Sequence, residues 1–303
     1  MPLQRDNESP AFAVIVTAFN RAQYLEECLS SVVNQTFSDF ELIIVDDGST
    51  DNTQEVVSPF LNDSRVSYHK KANGGQASAL NVGITATSAP LVTFLDSDCS
   101  WHPTRLEAHW NGLQKNPEAG VFMTDNVITS ESSEIIGQSR MPRFSGHITD
   151  HLLYDNYVPF NSVTVRRPII DQLSGFNESL RRNPDYDFWL RVSMITTFSY
   201  SPKFLTNYRV FQDQLSTNKE ARFASNKKIL LDFLDNNKDS IGWRKRRRAL
   251  SGFYRRRGSH ALAGRGFSNA FSDAARGIAM APWSLRGYRF LAKTTYFFIR
   301  GRG

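Results

Sequence analysis

Leu91-Val92-Thr93-Phe94-Leu95-Asp96-Ser97-Asp98 decides how this chain is read. Its first five residues are apolar or β-branched and follow Ala89-Pro90, the pattern of a buried strand bounded by a turn. The stretch then ends in two carboxylates one residue apart. On a continuing strand, Asp96 and Asp98 would face the same side. At the carboxyl end of a strand they would stand where open α/β sheets bind ligands. Two carboxylates that close repel unless a positive charge lies between them. A divalent metal with oxygen ligands meets that need, and a diphosphate can complete its shell. Taken alone, Asp-Ser-Asp reads as a solvated turn; its neighbours along the chain reverse that reading.

Upstream, Phe12 to Thr17 is predicted as a buried first strand, with Asn20 suited to cap the next helix. Tyr24, Leu25, Cys28, Leu29, Val32 and Val33 recur at helical spacing, which predicts a helix of about 12 residues. Phe40 to Val45 is a second strand, ending in Asp46-Asp47-Gly48-Ser49-Thr50-Asp51, a turn that can cap a helix over Asn52 to Leu61. Val66 to Tyr68 is a short strand, Asn73-Gly74-Gly75 a loop, and Ala77 to Ile84 a helix. Downstream, Pro103 suits the first turn of a helix running to Lys115, and Val121 to Thr124 is a further strand. Alternating strands and helices predict a largely parallel sheet covered on both faces. Chain order then brings Asp46, Asp47, Asp96 and Asp98 to one edge of that sheet. No GxGxxG follows the first strand, which disfavours a dinucleotide-binding dehydrogenase, and no GxxxxGK[ST] is present, which excludes a P-loop NTPase.

The 303 residues suffice for one large domain with an appendage, or for two domains. Hydrophobic content of 40% and a mean hydropathy of −0.40 fit a soluble globular protein. Met1 to Pro10 carries no apolar signal core, and no apolar run reaches spanning length, so neither a secretory signal nor a transmembrane helix is expected. The two cysteines, Cys28 and Cys99, cannot make a zinc site alone and suit a reducing compartment. Net charge is +6, but residues 241–303 hold fifteen Lys and Arg against one acid, Asp273, so the rest of the chain is net acidic.

Four stretches together resemble the inverting glycosyltransferases of family 2. They are Val16-Thr17-Ala18-Phe19-Asn20, then Phe40 through Asp51, then Asn73-Gly74-Gly75 with Ala79-Leu80-Asn81-Val82-Gly83, and Asp96-Ser97-Asp98. The likeness covers residues 11 to about 215. It implies the nucleotide-diphospho-sugar transferase (GT-A) fold for residues 1–218, with a basic helical extension over 219–303. It also implies that Thr17 and Asp47 hold the uracil and ribose of a donor nucleotide, with Ala18, Asn20 and Asp46 of the same strand-end motifs also binding the donor. Asn73, Gly74 and Gly75 would let backbone approach the donor. Asp96 would contact the donor sugar and, with Asp98 as chief ligand, a Mn²⁺ or Mg²⁺ ion that takes up charge on the departing diphosphate.

Leu173-Ser174-Gly175-Phe176-Asn177-Glu178 resembles the family's turn before the catalytic base. The helix opening at Pro184 then places Asp185 where the family has that base, with Asp187 as the fallback. Two departures stand out. Pro184 precedes the base where the family commonly has an acid. In Tyr208-Arg209-Val210-Phe211-Gln212-Asp213-Gln214-Leu215-Ser216, Phe211 aligns where the family often has a histidine that helps bind metal or diphosphate. Without Gln-x-x-Arg-Trp and without a membrane span, transfer of one sugar per encounter is expected.

From Glu220 onward the spacing is helical, with Arg244 to Arg248 and Arg255 to Arg257 as basic runs among aromatics. That pattern suits an anionic membrane surface. It also suits nucleic acid, since phosphate attraction is not sequence-specific, although a lipid-linked acceptor ranks the membrane first. The expected protein is a metal-dependent transferase moving a sugar from a nucleotide-diphospho-sugar, a UDP-sugar above all, to a glycan or lipid-linked hydroxyl in cell-surface glycan or glycolipid synthesis. It would be cytoplasmic, at the inner face of the membrane. The alternatives are a sugar nucleotidyltransferase, whose Gly-rich basic signature Val14 to Asn20 lacks, and a catalytically inactive nucleotide-sugar binder acting through its basic tail.

Overall fold

The structure, a computed structural model, describes residues 9–211, 214 and 218–301. The chain forms two compact units. One holds the residues up to Thr149 together with Tyr157–Asn218; the other holds Asp150–Asn156 with the residues from Lys219 onward.

The larger unit opens with β1 (Phe12–Ala18), α1 (Ala22–Val33), β2 (Phe40–Asp46), α2 (Thr53–Val57), β3 (Val66–Lys70), α3 (Gln76–Thr85) and β4 (Leu91–Asp96). It continues with β5 (Ser100–Trp101), α4 (Arg105–Lys115), β6 (Ala119–Thr129) and β7 (Ile135–Gln138). After α5 (Thr149–Leu152), at the start of the short segment that belongs with the other unit, come β8 (Val163–Arg166), α6 (Arg167–Gln172), α7 (Pro184–Ser193) and β9 (Thr197–Arg209). Among the described residues these strands make one sheet in the order β3-β2-β1-β4-β8-β6-β9-β5, with β7 added on β6. The stretch β3-β2-β1-β4 is parallel throughout. Beyond it β8 runs antiparallel to both β4 and β6, β9 is parallel to β6, and β5 is antiparallel to β9.

In the parallel half, β2, β1 and β4 are buried on both faces, as their continuous apolar runs require, while β3 at the edge is only partly buried. Phe12, Val14 and Val16 pack with Leu25, Leu29 and Val32 of α1 on one face. Ala13 joins Ile43, Val45 and Ala79 of α3 on the other. Gly83 lets α3 lie flat on the sheet, because a Cβ there would stand 2.5 Å from Ile15 Cγ2. Cys28 is fully buried among the apolar residues, the core role its helical position predicts.

Two local readings are corrected. Asn20 does not cap α1: it sits in the left-handed region (φ 49°), and its Oδ1 accepts the Thr50 N–H at 2.8 Å. Asp51 does the capping, accepting the Ala22 N–H at 3.0 Å and the Thr53 hydroxyl at 2.6 Å. The helix expected over Asn52 to Leu61 narrows to a 3₁₀ turn at Ser58–Asn62, where Pro59 lacks the N–H that an α-helix needs.

The smaller unit contains α8 (Lys219–Asn236), α9 (Trp243–Ala263), α10 (Phe267–Met280) and α11 (Leu285–Arg300). Ile229, Leu230, Phe233 and Leu234 are buried, as their spacing predicts. The basic runs divide in their tasks. Arg247 donates to the Ala279 and Met280 carbonyls that end α10, and Arg257 grips buried Asp273 with two nitrogens. Among the described residues no helix is long and apolar enough to cross a membrane.

Candidate functional site

The carboxyl ends of β1, β2 and β4 lie side by side, so register alone assembles the candidate site. Thr17 stands opposite Asp96 across β1 and β4, and Ala18 stands opposite Asp46 across β1 and β2. Asp96 and Asp98 are both partly buried. Asn161 grips Asp96 from two directions: its Oδ1 accepts the Asp96 N–H at 2.7 Å, and its Nδ2 donates to Asp96 Oδ2 at 2.9 Å. Gln76 Nε2 donates to the other oxygen at 2.8 Å. Asp98 Oδ1 accepts the Cys99 thiol at 3.3 Å, while its backbone carbonyl accepts Arg209 Nε at 3.0 Å.

Burial, the Asp98 charge and the Asp185 charge push the Asp96 carboxyl above its ordinary range. Burial raises Asp98 as well, against the opposing pull of the Cys99 hydrogen bond, Arg21 and Arg209. The pair is therefore short of positive charge. Burial and the same two carboxylates push the Cys28 and Cys99 thiols well up, so neither is a nucleophile. Among the described residues no three His, Cys, Asp or Glu side chains group as a metal cage. Two carboxylates fit a cation whose remaining ligands come from outside the protein, the donor set that a bound diphosphate and water complete.

Asp46 and Asp47 have different surroundings. Asp46 is fully buried and holds its own turn, accepting the Ser49 N–H at 2.7 Å and the Tyr68 hydroxyl at 2.6 Å. Its charge, after burial, drives the Tyr68 phenol well above its ordinary range. Asp47 reaches across to the glycine loop: Oδ1 accepts Lys71 Nζ and the Gly74 N–H, each at 2.8 Å, and Oδ2 accepts the Gly75 N–H at 2.7 Å. Both glycines are needed there. Gly75 has φ 88°, and a Cβ on Gly74 would meet Lys71 Nζ at 2.7 Å and Ser78 Oγ at 2.8 Å. Asn73 is exposed, and its N–H would stand 2.9 Å from a Cβ on Gly48.

Asp185 reaches this edge through packing. Phe94 on β4 stacks on Phe160 and meets Phe176 edge-on, both at 5.3 Å, and Phe176 stacks on Phe188 of α7 at 4.3 Å. These rings tie the carboxylate strand to the first turn of α7, close enough for the Asp185 charge to act on Asp96. Asn81 fixes the intervening turn, accepting the Phe176 N–H at 2.8 Å and donating to Phe176 O at 2.9 Å and Glu178 Oε1 at 2.8 Å. Asp187 is engaged elsewhere, its Oδ2 accepting Arg191 Nε at 2.8 Å, while the two terminal nitrogens of Arg191 donate to the Leu173 and Gly175 carbonyls. Trp189 of the same helix is fully buried.

Phe211 lies 5.2 Å from the Tyr24 ring and carries the Arg21 guanidinium at 5.3 Å. The rest of the closing motif, Gln212, Asp213, Leu215 and Ser216, falls outside the described residues. Gln76, Asn161, Arg21, Lys71 and Arg181 were not picked out in the sequence. Lys71 had a signal, since it directly follows the strand that runs into the glycine loop. Asn161 had none: its contact with Asp96 spans 65 residues.

A carboxylate-lined edge on this sheet is the architecture of a GT-A glycosyltransferase. The chain belongs to glycosyl transferase family 2, whose sequence pattern matches residues 13–173. Its relatives include the hyaluronan synthase of Pasteurella multocida, 31% identical over 215 residues, and that organism's chondroitin synthase, 31% identical over 209. Those stretches cover 70% and 68% of this chain but 22% and 21% of the two synthases, so the chain matches about a fifth of each. In fold it is similar to S. aureus TarS 1-349, crystallised in complex with UDP-GlcNAc. The TM-score is 0.61 at 18% identity, covering 88% of this chain and 91% of that one.

Proposed function

We propose that the chain transfers one sugar from a UDP-sugar to an acceptor hydroxyl with inversion at the anomeric carbon. The observation that carries this reading is the meeting of Asp96, Asp98 and Asp185 at one sheet edge, with both paired carboxylates raised by burial and Asp96 raised further by the charges of Asp98 and Asp185. The complex of TarS with UDP-GlcNAc supports the choice of nucleotide.

In this reading Asp98 and Asp96 hold a Mn²⁺ or Mg²⁺ ion, which when bound supplies Lewis-acid neutralisation of the diphosphate. Asp96, fixed by Asn161 and Gln76, orients the donor sugar. Asp185 takes the acceptor hydroxyl's proton as that oxygen bonds to the anomeric carbon, while the bond from that carbon to the diphosphate oxygen breaks. Asp187 is the poorer base because Arg191 holds it. Thr17 and Asp47 face the nucleotide; Asp47 Oδ2 keeps a lone pair for a uracil N–H beyond the Gly75 bond. Gly74 and Gly75 admit the donor close to backbone, with Asn73 exposed beside them. Ala18 and Asn20 line the same strand ends, and Asp46, fully enclosed, holds the turn beside them. Arg21 and Arg181 supply positive charge for the diphosphate, Arg21 beside Asp98 and Arg181 beside Gly75.

The helical unit serves a glycan or lipid-linked acceptor at an anionic membrane surface on the cytoplasmic side, in cell-surface glycan synthesis. The test is nucleotide release from a panel of UDP-, GDP- and dTDP-sugars, with Mn²⁺ or chelator, beside Asp98→Ala and Asp185→Ala. Metal-dependent release from a UDP-sugar, lost in both variants, is the expected result. Metal-independent release, or release that survives Asp98→Ala, overturns the assignment.

A further inference from the structure

The helical unit carries a cavity of about 740 Å³ that the transferase reading does not use. Among the described residues its walls include seven Lys and Arg side chains, Arg222, Arg256 and Arg289 among them, against one carboxylate, Asp155. Elsewhere in the unit, cations of the same basic runs are absorbed by the fold, as Arg247 and Arg257 are. The cavity's cations are gathered instead. Gly252 lets Tyr154 lie directly on α9, since a Cβ there would meet the ring at 2.8 Å, and the Arg255 and Arg256 guanidiniums then stand 5.1 and 4.8 Å from that ring's centre. Asp155 reaches Arg256 Nε only at 3.5 Å, and one terminal nitrogen of Arg256 is buried with no hydrogen-bond partner. A buried guanidinium N–H without an acceptor is costly unless a ligand supplies one. Phe223 and Phe290 give the cavity an apolar side, Phe290 lying against α9 where Gly258 leaves room. Burial and the neighbouring Arg222 also pull the Lys219 ammonium below its ordinary range.

We infer that this cavity binds a diphosphate or a pair of neighbouring phosphates carried by a ligand with an apolar or sugar portion. Guanidinium forks match phosphate oxygens two at a time, and several at one wall suit more than one phosphate. The inference does not depend on the donor-site assignment, because its residues all belong to the helical unit.

The experiment titrates the full chain with inorganic pyrophosphate by calorimetry, in chelator so that the metal-free Asp96–Asp98 edge repels the anion, and at about 0.15 M salt so that exposed charges are screened. Two charge reversals are compared, each checked for an unchanged melting temperature: exposed Arg289→Glu in the cavity wall, and exposed Arg248→Glu outside it. Loss of charge-assisted bonds should weaken binding about tenfold or more for Arg289→Glu. Arg248→Glu should lower it about twofold at most, the reach of a screened surface charge. No binding of pyrophosphate, or equal weakening by both variants, overturns the site in favour of diffuse surface charge. A second arm floats the protein on phosphatidic acid vesicles. Flotation lost in Arg289→Glu and kept in Arg248→Glu identifies the phosphate as a lipid headgroup; pyrophosphate binding without flotation identifies a soluble phosphorylated ligand.

Discussion

Asn81→Ala isolates the link between the donor edge and the helix that bears Asp185. The side chain makes three hydrogen bonds to the turn at Phe176 and Glu178. Phe176 is 3% exposed, so its N–H and C=O have little water to turn to when the amide is removed. Each buried group left unsatisfied costs about 1–3 kcal/mol, and the bond to Glu178 adds little, being exposed. The expected loss is about 2–4 kcal/mol, or about 4–16 °C in melting temperature for a unit of this size. Asn81→Asp sharpens the result. It keeps an acceptor for the Phe176 N–H but places charge against Glu178 and the Phe176 carbonyl, so it should be no more stable than Asn81→Ala above pH 6. Thermal and urea unfolding followed by circular dichroism measure both. A loss below about 1 kcal/mol in Asn81→Ala, with unchanged turnover, would show that the turn is held by its aromatic stack alone and refute the reasoning.

Three further outcomes are expected. Arg105 is fully buried with two nitrogens unpartnered and its pKa driven well down by burial, so Arg105→Met should stabilise the protein by about 1–4 kcal/mol in urea unfolding. The Asp96 and Asp98 carboxyls are raised in the folded protein, so the fold binds more protons than the unfolded chain between the ordinary and raised pKa values. Stability of the metal-free protein should therefore fall as pH rises through that window, and Asp98→Asn should flatten the fall; a melting temperature independent of pH from 4 to 8 contradicts it. Asp185→Asn should abolish turnover with little change in melting temperature, whereas Asp187→Asn should lower the melting temperature by releasing Arg191 and keep measurable turnover; a reversal of the two would exchange their roles.

The sequence announces the parallel half of the sheet clearly. Strands such as Phe12 to Thr17 and Leu91 to Leu95 are continuous apolar runs, and their ends carry the glycines and carboxylates of a binding edge. The second half is quieter for a physical reason. β9 mixes Ser199, Pro202, Lys203 and Asn207 with its apolar residues, and its register with β6 shifts along its length, so no period of two survives in the sequence. The candidate site was legible where its residues sit in local motifs. Asp96, Asp98 and the glycine loop fall in that class, while the Asn161 clamp and the Asn81 staple join residues 65 and 95 apart. The basic runs were legible as charge but not as structure: Arg256 and Arg257 are adjacent, yet one faces a cavity and the other grips Asp273.

β9 is the last strand of the sheet in sequence but not in space, since it lies between β6 and β5. On a ribosome, the first 196 residues would emerge with β6 lacking a partner on one side and β5 lacking one altogether. Arg209, at the end of β9, then locks the finished unit, pairing with Glu27 and donating to the carbonyls of Asp98 and Glu131. The carboxylate edge therefore cannot reach its working form until the chain has grown past residue 209. Synthesis at about 5–20 residues per second leaves an open, aggregation-prone strand edge for many seconds, a window in which a chaperone has something to hold.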